Sequence, residues 1–216
     1  MKEELQTASE QAYEIISKKI LTGEFPPGMK LSKRKMAAVT GVSVIPVIEA
    51  LNKLEDEGLV ESKPQWGSFV MIPTKEKIED ILVLREAIEC QIAREVVCKI
   101  TKEDEKELRE LGEIIDLESF DKQMDLLISE SHFKFHMKLA KITGYNSLEN
   151  SLRKINLFWL LCKAVTATRE KKEHPRDWHG RLIDALTSGD PDVAEKQMRI
   201  HVLDSTGPLI DAMTEE

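Results

Sequence analysis

Between Lys75 and Ala212 the sequence carries no strand signal; apolar side chains recur there at helical spacing, in runs closed by Gly144, Pro175 and Gly189. A period near 3.6 puts a single apolar stripe on each helix, and such stripes are buried by packing helices on helices. Six are expected: Lys75–Ile100, Lys102–Ile115, Phe120–Ile142, Ser147–Ala167, Arg176–Thr187 and Pro191–Ala212, with Asp190 placed to cap the last. The 216 residues, 41% of them hydrophobic, are enough for two modest cores.

Residues 1–73 read differently. Ala8 to Leu21 carries a helical stripe at Ala12, Ile15, Ile16 and Ile20, and Thr22 to Gly28 is a Gly/Pro loop. Ser32 is placed to cap a short helix ending near Gly41, and Ser43 a second helix running to Glu57, with Pro46 in its first turn. Two helices joined by a tight glycine-containing turn make a helix-turn-helix. Leu59–Ser62 and Ser68–Met71, separated by a Lys63–Gly67 turn, make a β-hairpin. The expected architecture is mainly α: a winged helix-turn-helix domain over 1–73, a short linker near 72–75, and an all-α six-helix bundle over 74–216.

Four of the five histidines form two spaced pairs, His132/His136 and His179/His201. The first pair, four residues apart, shares one helix face. The second lies on two later helices joined by a short turn. Four neutral imidazoles converging in a bundle would hold a divalent cation. Taken pair by pair, packing or surface histidines are the commoner occurrence. His174 sits in a charged loop and is left out.

The cysteines, Cys90, Cys98 and Cys162, are odd in number and widely spaced, as buried free thiols of a reducing cytoplasm would be. No leader-like stretch opens the chain, and the longest apolar run, Leu157 to Cys162, cannot cross a bilayer. A cytoplasmic protein with no membrane partner is expected. The net charge of −8 is unevenly spread: residues 1–73 hold 9 Lys/Arg against 10 Asp/Glu, leaving 22 against 29 beyond. Nucleic-acid binding must therefore rely on local basic clusters.

Residues Ile20-Leu21-Thr22-Gly23, Pro27-Gly28-Met29-Lys30-Leu31, Gly41-Val42-Ser43, Pro46-Val47, Glu49-Ala50-Leu51, Glu57-Gly58-Leu59-Val60 and Gly67-Ser68-Phe69-Val70 keep order and spacing over some 60 positions. This segment resembles the GntR superfamily of bacterial transcription regulators. The helical remainder is similar to its FCD effector domain in the six-helix form. The resemblance implies a homodimer that reads a pseudo-palindromic DNA operator, most often as a repressor, and a metal pocket that receives a small carboxylate effector.

The resemblance implies a ligand set of an Asp, a His four residues on, and two later His. His136, His179 and His201 match the histidines, and His132 stands at the Asp position. Four imidazoles without a carboxylate favour zinc, nickel or copper over harder ions, with zinc or nickel expected here. Arg85 matches an arginine that grips the effector; the alternative is a surface Arg85–Glu89 ion pair. Asn146 falls at a Gly-Asn position and either lines the pocket or caps a helix. Lys33, Arg34, Lys35, Ser43, Val44, Lys63, Trp66 and Gly67 are the expected DNA contacts.

Here the chain departs from the family. Val44 and Ile48 replace the two arginines of its Val-Ser-Arg-x-Pro-Val-Arg motif, each worth about 1–3 kcal/mol of base discrimination. An A·T-leaning operator, weak binding that depends on dimerisation, and a sensor that acts through a protein partner without reading DNA all remain open. The inward face of that helix is open too, since Ile45 and Ile48 lie three apart. A hydrolase is disfavoured, because no general base accompanies the histidines and Glu130 points poorly for the role.

Overall fold

The computed structural model describes residues 6–118, 125–166 and 177–214. In chain order the elements are α1 (Ala8–Leu21), α2 (Lys33–Thr40), α3 (Val44–Asp56), β1 (Val60–Lys63), β2 (Gly67–Val70), α4 (Lys75–Val97), α5 (Lys102–Glu118), α6 (Asp125–Thr143), α7 (Asn146–Thr166), α8 (Trp178–Leu186) and α9 (Pro191–Thr214). Phe120, Ala167 and Arg176, expected helix ends, lie outside the described residues, as does His174. Spatial proximity groups Met1–Pro73 and Leu157–Thr166 into one unit and the rest into a second.

In the first unit α1 opens on a reciprocal cap. Thr7 Oγ1 accepts the Glu10 N–H at 3.2 Å, and the Glu10 carboxylate accepts the Thr7 N–H at 2.8 Å. Ala12, Ile16 and Ile20 are fully buried, and α1 packs on α2 and α3. Ser32 caps α2 as expected, accepting the Lys35 N–H at 3.2 Å, and Gly41 ends it at φ 72°. The chain then bends by 104° into α3, the crossing typical of a helix-turn-helix.

On α3 one expectation fails and one open alternative closes. Ser43 occupies the N-cap position but makes no side-chain capping bond. The third helical residue, whose N–H such a cap usually receives, is Pro46, which has none. Ile45 does not pack inward either. The buried stripe is Val47, Ala50, Leu51 and Leu54; Ile45, two residues before Val47, points about 200° away and is 70% exposed. Ile48 is half-buried.

β1 and β2 pair antiparallel, from Val60 opposite Val70 to Lys63 opposite Gly67, close to the expected hairpin. Buried Leu59, Val60 and Val70 seat it, and β1 packs on α3. The turn carries Gln65 at φ 66°, a left-handed conformation that a residue with a Cβ seldom adopts.

In the second unit Thr74 caps α4, accepting the Lys77 N–H at 3.3 Å. α4 ends at Val97, three residues before the expected Ile100, and α5 opens on a reciprocal cap. Thr101 accepts the Asp104 N–H, and the Asp104 carboxylate accepts the Thr101 N–H, each at 3.1 Å. α4 runs along α9 and touches α6 and α8, while α5 lies against α6 and α8. Ile92, Val96, Leu108, Phe135, Leu182 and Met198, one or two from each of these helices, form the centre of the core. The expectation of buried thiols holds for Cys90 and Cys162 only; Cys98, at the frayed end of α4, is exposed. Among the described residues no single helix is long and apolar enough to cross a membrane.

Candidate functional site

The four histidines meet. One nitrogen from each of His132, His136, His179 and His201 lies within 4.8 Å of the others. α6 supplies the first two from adjacent turns of one face, with their Nε2 atoms 3.3 Å apart. α8 brings His179 and α9 brings His201, whose ring centroids are 4.9 Å apart. His136, His179 and His201 are buried and His132 is half-buried. Phe135 walls the group, its ring 5.1 Å from His179 and 5.4 Å from His136, and Trp178 stacks on His201 at 5.7 Å.

Two buried carboxylates stand behind the rings; sequence reasoning missed Asp116 and read Glu89 only as a surface partner of Arg85. Asp116 of α5 accepts from His179 Nδ1 at 2.6 Å and from the His179 backbone N–H at 3.0 Å. That fixes the proton on Nδ1 and turns the Nε2 lone pair inward. His179 Nε2 is buried and has no hydrogen-bond partner among the described residues. Glu89 of α4 pairs with His136 Nδ1 and so aims His136 Nε2 at His132. Its other oxygen accepts Arg85 Nε at 2.6 Å.

The Arg85–Glu89 pair therefore exists, but in the core rather than on the surface: the two side chains are 0% and 1% exposed. Burial alone would raise the Glu89 pKa; the hydrogen bond from His136 and the Arg85 guanidinium outweigh it and hold the carboxyl below its usual range. Burial pushes the His136 pKa below its usual value despite Glu89, so its ring stays neutral and keeps a lone pair. Asn146 stands exposed as the first residue of α7.

One glycine shapes the same site. Gly112 lies one turn before Asp116 on α5, and a Cβ there would stand 3.0 Å from His179 Cβ. Its absence lets α5 approach closely enough for Asp116 to reach the ring. An isolated glycine inside a helical pattern was the available signal.

These residues fit a metal ion. Donors with bonds of about 2.1 Å lie roughly 3.0 Å apart at right angles and about 3.4 Å apart in a tetrahedron, and the His132–His136 separation matches. Neutral imidazoles are far cheaper to bury than charges. His179 Nε2, a buried acceptor without a donor among the described residues, is the atom that an ion would satisfy.

The first unit presents a second surface. Lys33, Arg34 and Lys35 are exposed on the first turn of α2, as are Ser43 and Val44 at the start of α3. Lys63 is exposed at the end of β1, its Nζ 5.7 Å from the Phe69 ring, and Lys30 lies over the same ring at 5.8 Å. Trp66 is 69% exposed in the hairpin turn beside Gly67.

The model of bacterial regulatory proteins of the gntR family matches residues 8–70, and the FCD domain model matches residues 80–204. The HTH-type transcriptional regulator Mce2R of Mycobacterium tuberculosis is 30% identical over 207 residues, covering 87% of this chain and 85% of its own length. The HTH-type transcriptional repressor RspR of Escherichia coli K12 is 26% identical over 205 residues, covering 91% of this chain and 86% of its own length. The solved structure of E. coli McbR/YncC superposes with a TM-score of 0.80 at 18% identity, covering 96% of this chain and 99% of that one.

Proposed function

From its membership of the GntR family, with an FCD domain behind a winged helix, we propose that this DNA-binding transcription regulator is a repressor governed by a metal ion and a small carboxylate. We assign residues 1–73 to operator binding and 74–216 to effector binding. His132, His136, His179 and His201 would hold zinc or nickel. The observation that carries this reading is the convergence of four imidazole nitrogens from three helices, two of them aimed by buried carboxylates.

A bound ion supplies a Lewis-acidic centre that attracts an anionic group; the chain's residues do the rest. Glu89 and Asp116 keep protons on the outer nitrogens of His136 and His179. Arg85 would grip the carboxylate effector, and its bond to Glu89 ties that grip to His136. Asn146, exposed at the start of α7, would add a polar contact to the effector. Lys33, Arg34, Lys35 and Lys63 would hold phosphates, with Ser43, Val44, Trp66 and Gly67 nearer the bases. The molecule would act in the cytoplasm as a homodimer on a pseudo-palindrome. Exposed Val83 and Leu84 on α4, and Ile200 and Leu203 on its neighbour α9, are a candidate apolar seam for it.

Metal analysis of purified wild type and His136→Ala tests the pocket. About one zinc or nickel ion per chain, lost in the variant, is expected. No metal in either protein overturns the metal assignment and leaves the regulator. The effector is tested by linkage: a carboxylate that weakens operator binding by some factor must itself bind less tightly to the operator complex by the same factor.

A further inference from the structure

We propose that α3 reads thymine methyl groups, Val44, where the family motif places an arginine, and its neighbour Ile45 making apolar contacts in the major groove. The inference rests on the operator-binding reading and goes further by naming the base. Ile45 is 70% and Val44 38% exposed, on the first two residues of the helix whose buried stripe begins only at Val47. In a helix-turn-helix those N-terminal positions meet base edges. Neither side chain can donate a hydrogen bond to guanine, and the group in the groove that each complements is the thymine C5-methyl.

Solitary exposed aliphatics are ordinary on protein surfaces. This pair differs in its electrostatic setting. From Phe25 to Ile48 the chain holds four basic residues, Lys30, Lys33, Arg34 and Lys35, and no acidic one, in a protein of net charge −8. Lys33, Arg34 and Lys35 are exposed on the first turn of α2, and Lys63 is exposed on the wing. Ser43, released from capping by Pro46, keeps its hydroxyl beside the amides that open α3. Cations and helix N-termini suited to phosphates, around an apolar tip, describe a duplex as the occupant more closely than a protein groove.

The test uses the full-length protein and a randomised 30-base-pair duplex library. The expected outcome is a selected site with a fixed T·A pair in each half. Replacing that thymine by deoxyuracil, which removes only the methyl, should weaken wild type about fourfold per half-site. Ile45→Ala, at an exposed position, should fold normally, lose a similar factor on the thymine site and become indifferent to deoxyuracil. Val44→Arg should shift selection toward G·C. Salt-dependent binding that ignores deoxyuracil, or Ile45→Ala still sensing it, overturns the methyl reading and leaves the regulator intact. No salt-dependent selection of any duplex overturns both and favours a protein partner for α3.

Discussion

A single carbon added at Gly112 would stand 3.0 Å from His179 Cβ. Alanine in place of a mid-helix glycine ordinarily stabilises by about 0.5–1 kcal/mol. Here overpacking, at about 1–3 kcal/mol, should exceed that gain. Gly112→Ala is therefore expected to lower the urea midpoint; a raised midpoint would contradict the close approach of α5. Asp116→Asn asks a sharper question, because the amide can still meet the ring yet no longer enforces the tautomer. Metal affinity should fall roughly 10- to 100-fold, read by competition with a chromophoric chelator. The two carboxylates show the limit of the sequence at this scale. The histidines announced themselves by the four-residue spacing of His132 and His136 and a family pattern. Glu89 and Asp116 come from helices remote in sequence and look like ordinary surface acids in their own segments. Only packing reveals that they lie behind the rings.

At the scale of elements the sequence was most legible where local chemistry decides alone. Asp190 caps α9, accepting the Asp192 N–H at 2.9 Å, and Gly41 and Gly144 close α2 and α6 in left-handed turns. Asp190→Ala should cost about 1 kcal/mol, seen as a shift in the chemical-denaturation midpoint at constant slope. Ser43 misled because Pro46 removes the third-residue N–H, the one that Thr7, Ser32 and Thr74 each receive elsewhere in this chain. Cys98 misled because an apolar helical run says nothing about where the helix frays. The thiols make that distinction measurable. Burial raises Cys90 to about 11 and Cys162 to about 12, whereas Cys98 is exposed. Native protein should titrate about one thiol with a disulfide reagent at pH 8, and denatured protein all three cysteines.

The histidine site draws on five helices of the second unit: imidazoles from α6, α8 and α9, and carboxylates from α4 and α5. An ion that binds only the assembled site stabilises the fold by about 4 kcal/mol at a free concentration a thousandfold above Kd. Zinc or nickel should therefore raise the thermal midpoint of the chelator-stripped protein, and His201→Ala should abolish that rise while leaving the helical circular dichroism in place. Trp178, stacked on His201, gives an independent readout: nickel should quench part of the tryptophan emission, and Trp178→Phe should remove that part. Burial also sets a clock. Three of the four imidazoles are sealed from solvent and only the edge at His132 is half-open. A captured ion should leave at the pace of helix opening rather than of diffusion. Occupancy would then record the metal supply under which each molecule folded, so that a small-molecule effector would act as the quick variable and the ion as a slow, inherited setting.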